Sequence, residues 1–104
     1  MEKTLSPLEL RNALDSKANV MLLDVRRAED KAAGGAGIPG AVWRDPSQVD
    51  QWASDIPPGA EVALYCVRGG SVSASVQAEL EARGLKARYV EGGLAAWEAN
   101  LAER

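Results

Sequence analysis

Val62-Ala63-Leu64-Tyr65-Cys66-Val67-Arg68-Gly69-Gly70-Ser71-Val72-Ser73 is the stretch that decides how this chain folds. A short apolar run, Val62 to Tyr65, reads as a buried strand and ends at the protein's only cysteine. A loop of small residues with one arginine follows. From about Ser73 to Arg83 the pattern turns helical: Val76 and Leu80 share a face, Ala74, Ala78 and Ala82 fill in, and Gly84 follows as a C-terminal cap. Strand, cysteine, glycine loop and helix have a joint chemical meaning. Backbone N–H groups of such a loop can converge on the sulfur, and the helix N-terminus adds partial positive charge. Both favour thiolate over thiol, and both favour a bound anion.

Outward from this stretch the chain alternates strands with helices. Val20 to Val25 is continuously apolar apart from Asp24, with β-branched residues at both ends. That is the signature of a strand buried on both faces, hence of a parallel sheet between helices. Ser6-Pro7 opens a helix that should run to near Lys17: Ser6 is the N-cap, Pro7 the first helical residue, and Glu9 completes a capping box. Arg26 to Ala33 suits a short helix, Gly34 to Gly37 a loop, and Pro39-Gly40 a turn into a short strand through Trp43. Val49 to Ser54 suits a short helix, and Pro57-Pro58-Gly59 breaks the chain before the next strand. Ala87 to Val90 is a third strand, and Glu91-Gly92-Gly93 turns into a last helix from Leu94 to Ala99. The expectation is an α/β fold: one domain over residues 1–104, with a central, mainly parallel sheet flanked by helices on both faces.

The totals exclude several classes. Apolar residues make up 46% and charged residues 26% of 104 residues, as in ordinary globular domains. A net charge of −3 and the lack of a basic stripe argue against a nucleic-acid surface. No apolar run approaches the roughly 20 residues needed to cross a bilayer, and no secretory h-region stands at the start. With a single cysteine, these point to the cytoplasm and away from membranes. Histidine is absent, which constrains the chemistry most. There is no Cys–His dyad, no Ser–His–Asp triad, and no imidazole or multi-thiolate metal site, so no metal or cofactor is expected. Any nucleophilic Cys66 must be activated by the loop, the helix dipole or a nearby arginine.

Four segments together resemble the rhodanese-like sulfurtransferases. They are Leu22-Leu23-Asp24-Val25-Arg26, Ile38-Pro39-Gly40-Ala41, Tyr65 to Ser71, and Glu91-Gly92-Gly93 followed by Trp97. The resemblance spans about Thr4 to Asn100. It implies a rhodanese-like fold and a reaction in two steps. A cysteine thiolate takes the outer sulfur of a donor such as thiosulfate, and the persulfide then yields that sulfur to cyanide or a thiol. Cys66 matches the family's nucleophile, and Asp24 and Arg26 match a signature that organises the surroundings of the site. Two departures stand out. Gly37 replaces a histidine often found before Ile-Pro-Gly-Ala. Val72, six positions after Cys66, stands where many single-domain members carry a helix-capping serine. A cap by Ser73 would mean a lengthened loop, as in the related phosphatases and arsenate reductases. Those enzymes, however, carry arginine where Val72 stands.

The roles then divide. Arg68 is expected to attract an anionic donor and support the thiolate. Val67, Gly69 and Gly70 shape the backbone cradle, and Ser71 or Ser73 caps the helix. Asp24 and Arg26 are structural, with Arg26 pairing with Glu29 or another acid. Trp97 belongs in the core. The expected partners are a small anionic sulfur donor and a thiol or cyanide acceptor, with a protein thiol as a further possibility. A sulfur-relay or binding module is the alternative to a general enzyme.

Overall fold

Two apolar strands at the middle of a sheet carry the architecture. The computed structural model describes residues 3–16 and 19–102. Its strands are β1 (Thr4–Leu5), β2 (Val20–Asp24), β3 (Val42–Trp43), β4 (Glu61–Tyr65) and β5 (Lys86–Val90). They form one five-stranded sheet in the order β1-β5-β4-β2-β3, and every pairing is parallel. The helices are α1 (Pro7–Asp15), α2 (Ala28–Gly34), α3 (Val49–Trp52), α4 (Ser71–Ala82) and α5 (Gly93–Ala102). Short 3-10 turns, Pro46–Gln48 and Ala53–Asp55, flank α3.

Alternation along the strands sorts the core into two layers. Leu23, Val25, Val62, Leu64 and Cys66 face one way, packing with Val49, Trp52, Val76 and Leu80 of α3 and α4. Leu22, Ala63 and Tyr65 face the other way, with Leu5, Leu10, Ile38, Leu94 and Trp97 under α1 and α5. Helices therefore cover both faces, as continuous apolar strands require, and Trp97 lies in the core as expected. β1 is too short to be seen in sequence. It exists because Thr4 and Leu5 pair with Tyr89 and Val90 at the edge of β5.

Local signals explain most boundaries. Ser6 Oγ accepts from Glu9 N at 3.0 Å, and Glu9 Oε1 accepts from Ser6 N at 2.8 Å, closing the capping box of α1. The same bond from Ser6 N holds the Glu9 carboxyl below its ordinary value. α1 ends at Asp15 with Ser16 as its cap; the expected end near Lys17 lies outside the described residues. Gly84, at φ 82°, follows α4 in the left-handed region that terminates helices. α2 runs through Gly34, one residue further than the glycine run suggested, and none of its residues is buried. The last helix, α5, runs to Ala102, three residues past its expected end, and the difference that bears on the cysteine loop is at α4. It starts at Ser71, two residues before the expected start, with Gly70 as its N-cap.

Candidate active site

β4 ends at Tyr65, so Cys66 is the first residue beyond the carboxyl end of the central strand. Its side chain is 6% exposed and shares the layer of α3 and α4. The main chain around it is pinned from across the sheet. Leu94 N donates to the Cys66 carbonyl at 2.8 Å, and Ala95 N donates to the Val67 carbonyl at 3.0 Å. Such closeness needs glycine. Gly93 has φ 61°, and a Cβ there would strike the Cys66 carbonyl, Gly69 N and Arg68 N. Gly69 has φ 67°, and a Cβ on it would come within 2.8 Å of Gly92 N and 2.9 Å of Val90 O.

The loop reaches α4 without a serine cap. Neither Ser71 nor Ser73 accepts a capping bond; Gly70 occupies that position, and Ala74 N donates to its carbonyl at 3.1 Å. Ser71 is the exposed first residue of the helix, and Ser73 is buried at 0% exposure with no partner for its Oγ. The expected serine cap is thus corrected. Four loop residues separate Cys66 from a helix that begins at Ser71, which leaves no room for the extra residue a Ser73 cap would insert. Among the described residues, none of the backbone N–H groups from Val67 to Ser73 donates to a backbone carbonyl. These seven donors follow Cys66 in the chain and lead into the N-terminus of a twelve-residue helix, whose open N–H groups and dipole favour negative charge. Arg68 is exposed on the loop, and Val72 packs half-buried against the apolar layer that holds Cys66.

Asp24 and Arg26 are not brought to the sulfur. Asp24 pairs in register with Tyr65, on the face opposite Cys66. Arg26 donates from Nη2 to Asp24 Oδ2 at 2.7 Å and from Nε and its backbone N to Oδ1 at 3.0 Å. Nη2 also reaches the Gly35 carbonyl at 3.0 Å. The pair is buried, with Arg26 at 1% exposure, and the Asp24 carboxylate raises the guanidinium pKa further. It ties the end of β2 to the loop after α2. Of the acids open to Arg26, Glu29 or another, the structure selects Asp24, two residues before it.

Tyr65 is the buried residue the sequence did not single out. Its hydroxyl accepts from Ile38 N at 3.0 Å. It also fills the space that any side chain at Gly37 would need, and a Cβ at Gly37 would stand 3.2 Å from Asp24 Oδ2. Burial, reinforced by the charge of Asp24, pushes the phenol pKa up to about 12. Position 37 holds no side chain, and the Tyr65 hydroxyl occupies the room beside it.

A groove of about 560 Å³ opens at the first turns of α4, with neither Cys66 nor the loop residues 67–70 in its lining. Its walls come from the start of α2, from the turn after β3 and from the first turns of α4. The chain leaves β2 towards β3 and leaves its neighbour β4 towards β5, in opposite directions along the sheet. In open parallel sheets such a reversal leaves a crevice at the strands' carboxyl ends, and ligands bind there. No single motif announces this groove, because its three walls are far apart in sequence. Among the described residues, no group of three or more His, Cys, Asp or Glu side chains is placed to hold a metal ion.

The family model described as Rhodanese-like domain matches residues 6–100. The chain belongs to the rhodanese-like domain family. This rhodanese-like domain is 31% identical to "Putative sulfurtransferase YtwF" of Bacillus subtilis (strain 168), over 92% of this chain and 90% of that protein. It superposes on a rhodanese-like domain protein from Staphylococcus aureus with a TM-score of 0.79 at 33% identity, covering 92% of this chain and 91% of that one. A rhodanese-related protein from Thermoplasma volcanium shares the fold at a TM-score of 0.80 and 21% identity, covering 95% of this chain and 93% of that one.

Proposed function

We propose that this rhodanese-like domain is a sulfurtransferase that carries sulfane sulfur as a persulfide on Cys66. One observation carries the reading: the cysteine directly follows the central strand and is followed in the chain by seven loop and helix N–H groups with no backbone acceptor among the described residues. The sulfurtransferase name of the Bacillus subtilis relative supports it. In the loading step the Cys66 thiolate attacks the outer sulfur of thiosulfate. The Cys66 Sγ–S bond forms, the S–S bond of thiosulfate breaks, and sulfite leaves with the bonding pair. In the unloading step a thiolate or cyanide attacks the outer sulfur and the pair returns to Cys66. No net oxidation occurs, so no cofactor is called for. The loop N–H groups hold the persulfide's charge between the steps. Arg68 draws in the anionic donor, Gly69 and Gly70 give the loop its shape, and Ser71 offers an exposed hydroxyl at the helix start. Val67, Val72 and Ser73 frame the cradle. Asp24 and Arg26 hold the sheet end from the opposite face.

Phosphoryl or arsenate chemistry lacks support, because Val72 supplies no guanidinium to grip a tetrahedral oxyanion. A reducing compartment such as the cytoplasm suits a lone thiolate. Among the described residues no helix is long and apolar enough to cross a membrane. Incubation with thiosulfate should add the mass of one sulfur atom to Cys66, and cyanide should then release thiocyanate. Retention of wild-type thiocyanate production by Cys66→Ser would overturn the mechanism. An aryl phosphate should show negligible turnover.

A further inference from the structure

We propose that a cavity between α1 and the amino end of the sheet binds a small carboxylate with an apolar body, anchored by Arg88. It lies towards the other end of β4 from Cys66 and does not depend on the sulfurtransferase reading.

The cavity encloses about 230 Å³ and reaches the first residues of β2, β4 and β5: Val20, Glu61 and Lys86. Ala13 of α1 and Ala63 of β4 both line it, and neither side chain is long enough to fill it. Leu5, Leu10 and Val20 add to an apolar lining, and Leu5, Leu10 and Ala63 are core residues. The volume lies below the roughly 300–1,000 Å³ of drug-sized sites, which limits an occupant to small molecules.

Strand alternation decides which charges look into it. Ala63 and Tyr65 face α1 and α5, and so therefore does Glu61; Val90 faces the same way, and so do Lys86 and Arg88. All three charged residues line the cavity. Glu61 stands in register with Lys86, and both are exposed, so their opposed charges offset one another at the rim. Arg88 is different. It is half-buried, stands in register with the apolar Ala63, and makes no ion pair among the described residues. Glu9 of α1 does not claim it: the Glu9 carboxyl is held below its ordinary value first by the Ser6 N–H and last by Arg88, and its Oε1 belongs to the capping box. An open guanidinium offers a carboxylate two parallel N–H donors, and the apolar lining strengthens the pair by excluding water. One such anchor beside an apolar floor fits a carboxylate on a short alkyl chain or a single ring. A small dianion such as thiosulfate would leave the apolar lining uncovered.

The test titrates the full chain with octanoate, 1-octanol or acetate and follows backbone amide chemical shifts. Octanoate should shift the amides of Ala13, Val20, Ala63 and Arg88 saturably. It should bind at least tenfold more tightly than 1-octanol, which lacks the charge, and than acetate, which lacks the apolar body. Arg88→Met keeps an apolar stem without the guanidinium and should weaken octanoate about tenfold. Ala13→Leu fills the cavity from the helix side and should weaken it by at least as much. The amide spectrum of each variant reports whether it is folded. Equal affinity for octanoate and 1-octanol, shifts away from the lining, or undiminished octanoate binding in either folded variant would overturn the site. No readout involves Cys66, so a chain that never loads sulfur would sink the persulfide reading and leave this test unchanged.

Discussion

Leu94 donates its backbone N–H to the carbonyl of Cys66 at 2.8 Å, so the first turn of α5 and the cysteine loop are one mechanical unit. The bond crosses from one end of the sequence pattern to its centre. It is possible because Gly93, one residue earlier, brings α5 against the loop without a side chain in between.

Gly93→Ala should therefore damage both stability and chemistry. The left-handed φ of 61° alone costs a side chain about 1–2 kcal/mol, and the new methyl would strike the Cys66 carbonyl and two loop nitrogens. Chemical denaturation should show a loss of about 2 kcal/mol or more. Thiosulfate loading should slow in the fraction that remains folded, because the loop must shift to admit the methyl.

Asp24→Ala should be among the most destabilising single changes in the chain. It strands the Arg26 guanidinium at 1% exposure with only the Gly35 carbonyl beside it. Removing one partner of a buried ion pair costs about 3–5 kcal/mol. Urea or thermal unfolding measures it, and a loss below about 1 kcal/mol would contradict the structural role given to the pair.

Tyr65 predicts a pH dependence whose sign follows from its raised pKa. The phenol ionises at 10.0 in an unfolded chain and at about 12 when folded. Its contribution is complete below pH 10, declines as the unfolded state begins to release the proton, and is gone once pH passes about 12. Tyr65→Phe should lose about 1–3 kcal/mol at neutral pH, since Ile38 N is left without an acceptor. It should also unfold with a shallower pH slope than wild type between pH 10 and 12, as followed by circular dichroism.

Arg68→Ala should raise the KM for thiosulfate by roughly three- to tenfold, because an exposed charge at the mouth acts mainly by attraction. Added salt should shrink the difference between variant and wild type, as screening weakens attraction in both. A KM insensitive to Arg68 at low salt would remove it from donor capture.

The strand–loop–helix at Cys66 and the three main strands were legible because each rests on local pattern: apolar runs, turn residues and a capping box. β1 was not, because Thr4 and Leu5 become a strand only through the neighbouring edge of β5. The serine cap failed for a related reason. Ser71 and Ser73 have the right chemistry, yet the contact of Gly69 with Gly92 and Gly93 sets where the loop must end, and Gly70 takes the cap. The groove and the Tyr65–Gly37 fit depend on residues from separate strand ends meeting in space, which no single window of sequence displays.

The hydrogen bonds from Leu94 and Ala95 to the cysteine loop run from main chain to main chain. Side-chain identity at those donor positions is not what holds the sulfur. The walls of the groove, by contrast, are side chains on the rims of α2 and α4. Mounting and rim are thus written in separate vocabularies, one in glycines and peptide bonds, the other in replaceable charges and hydroxyls. A lineage or an engineer could redraw the rim while the Cys66 sulfur stays where it is.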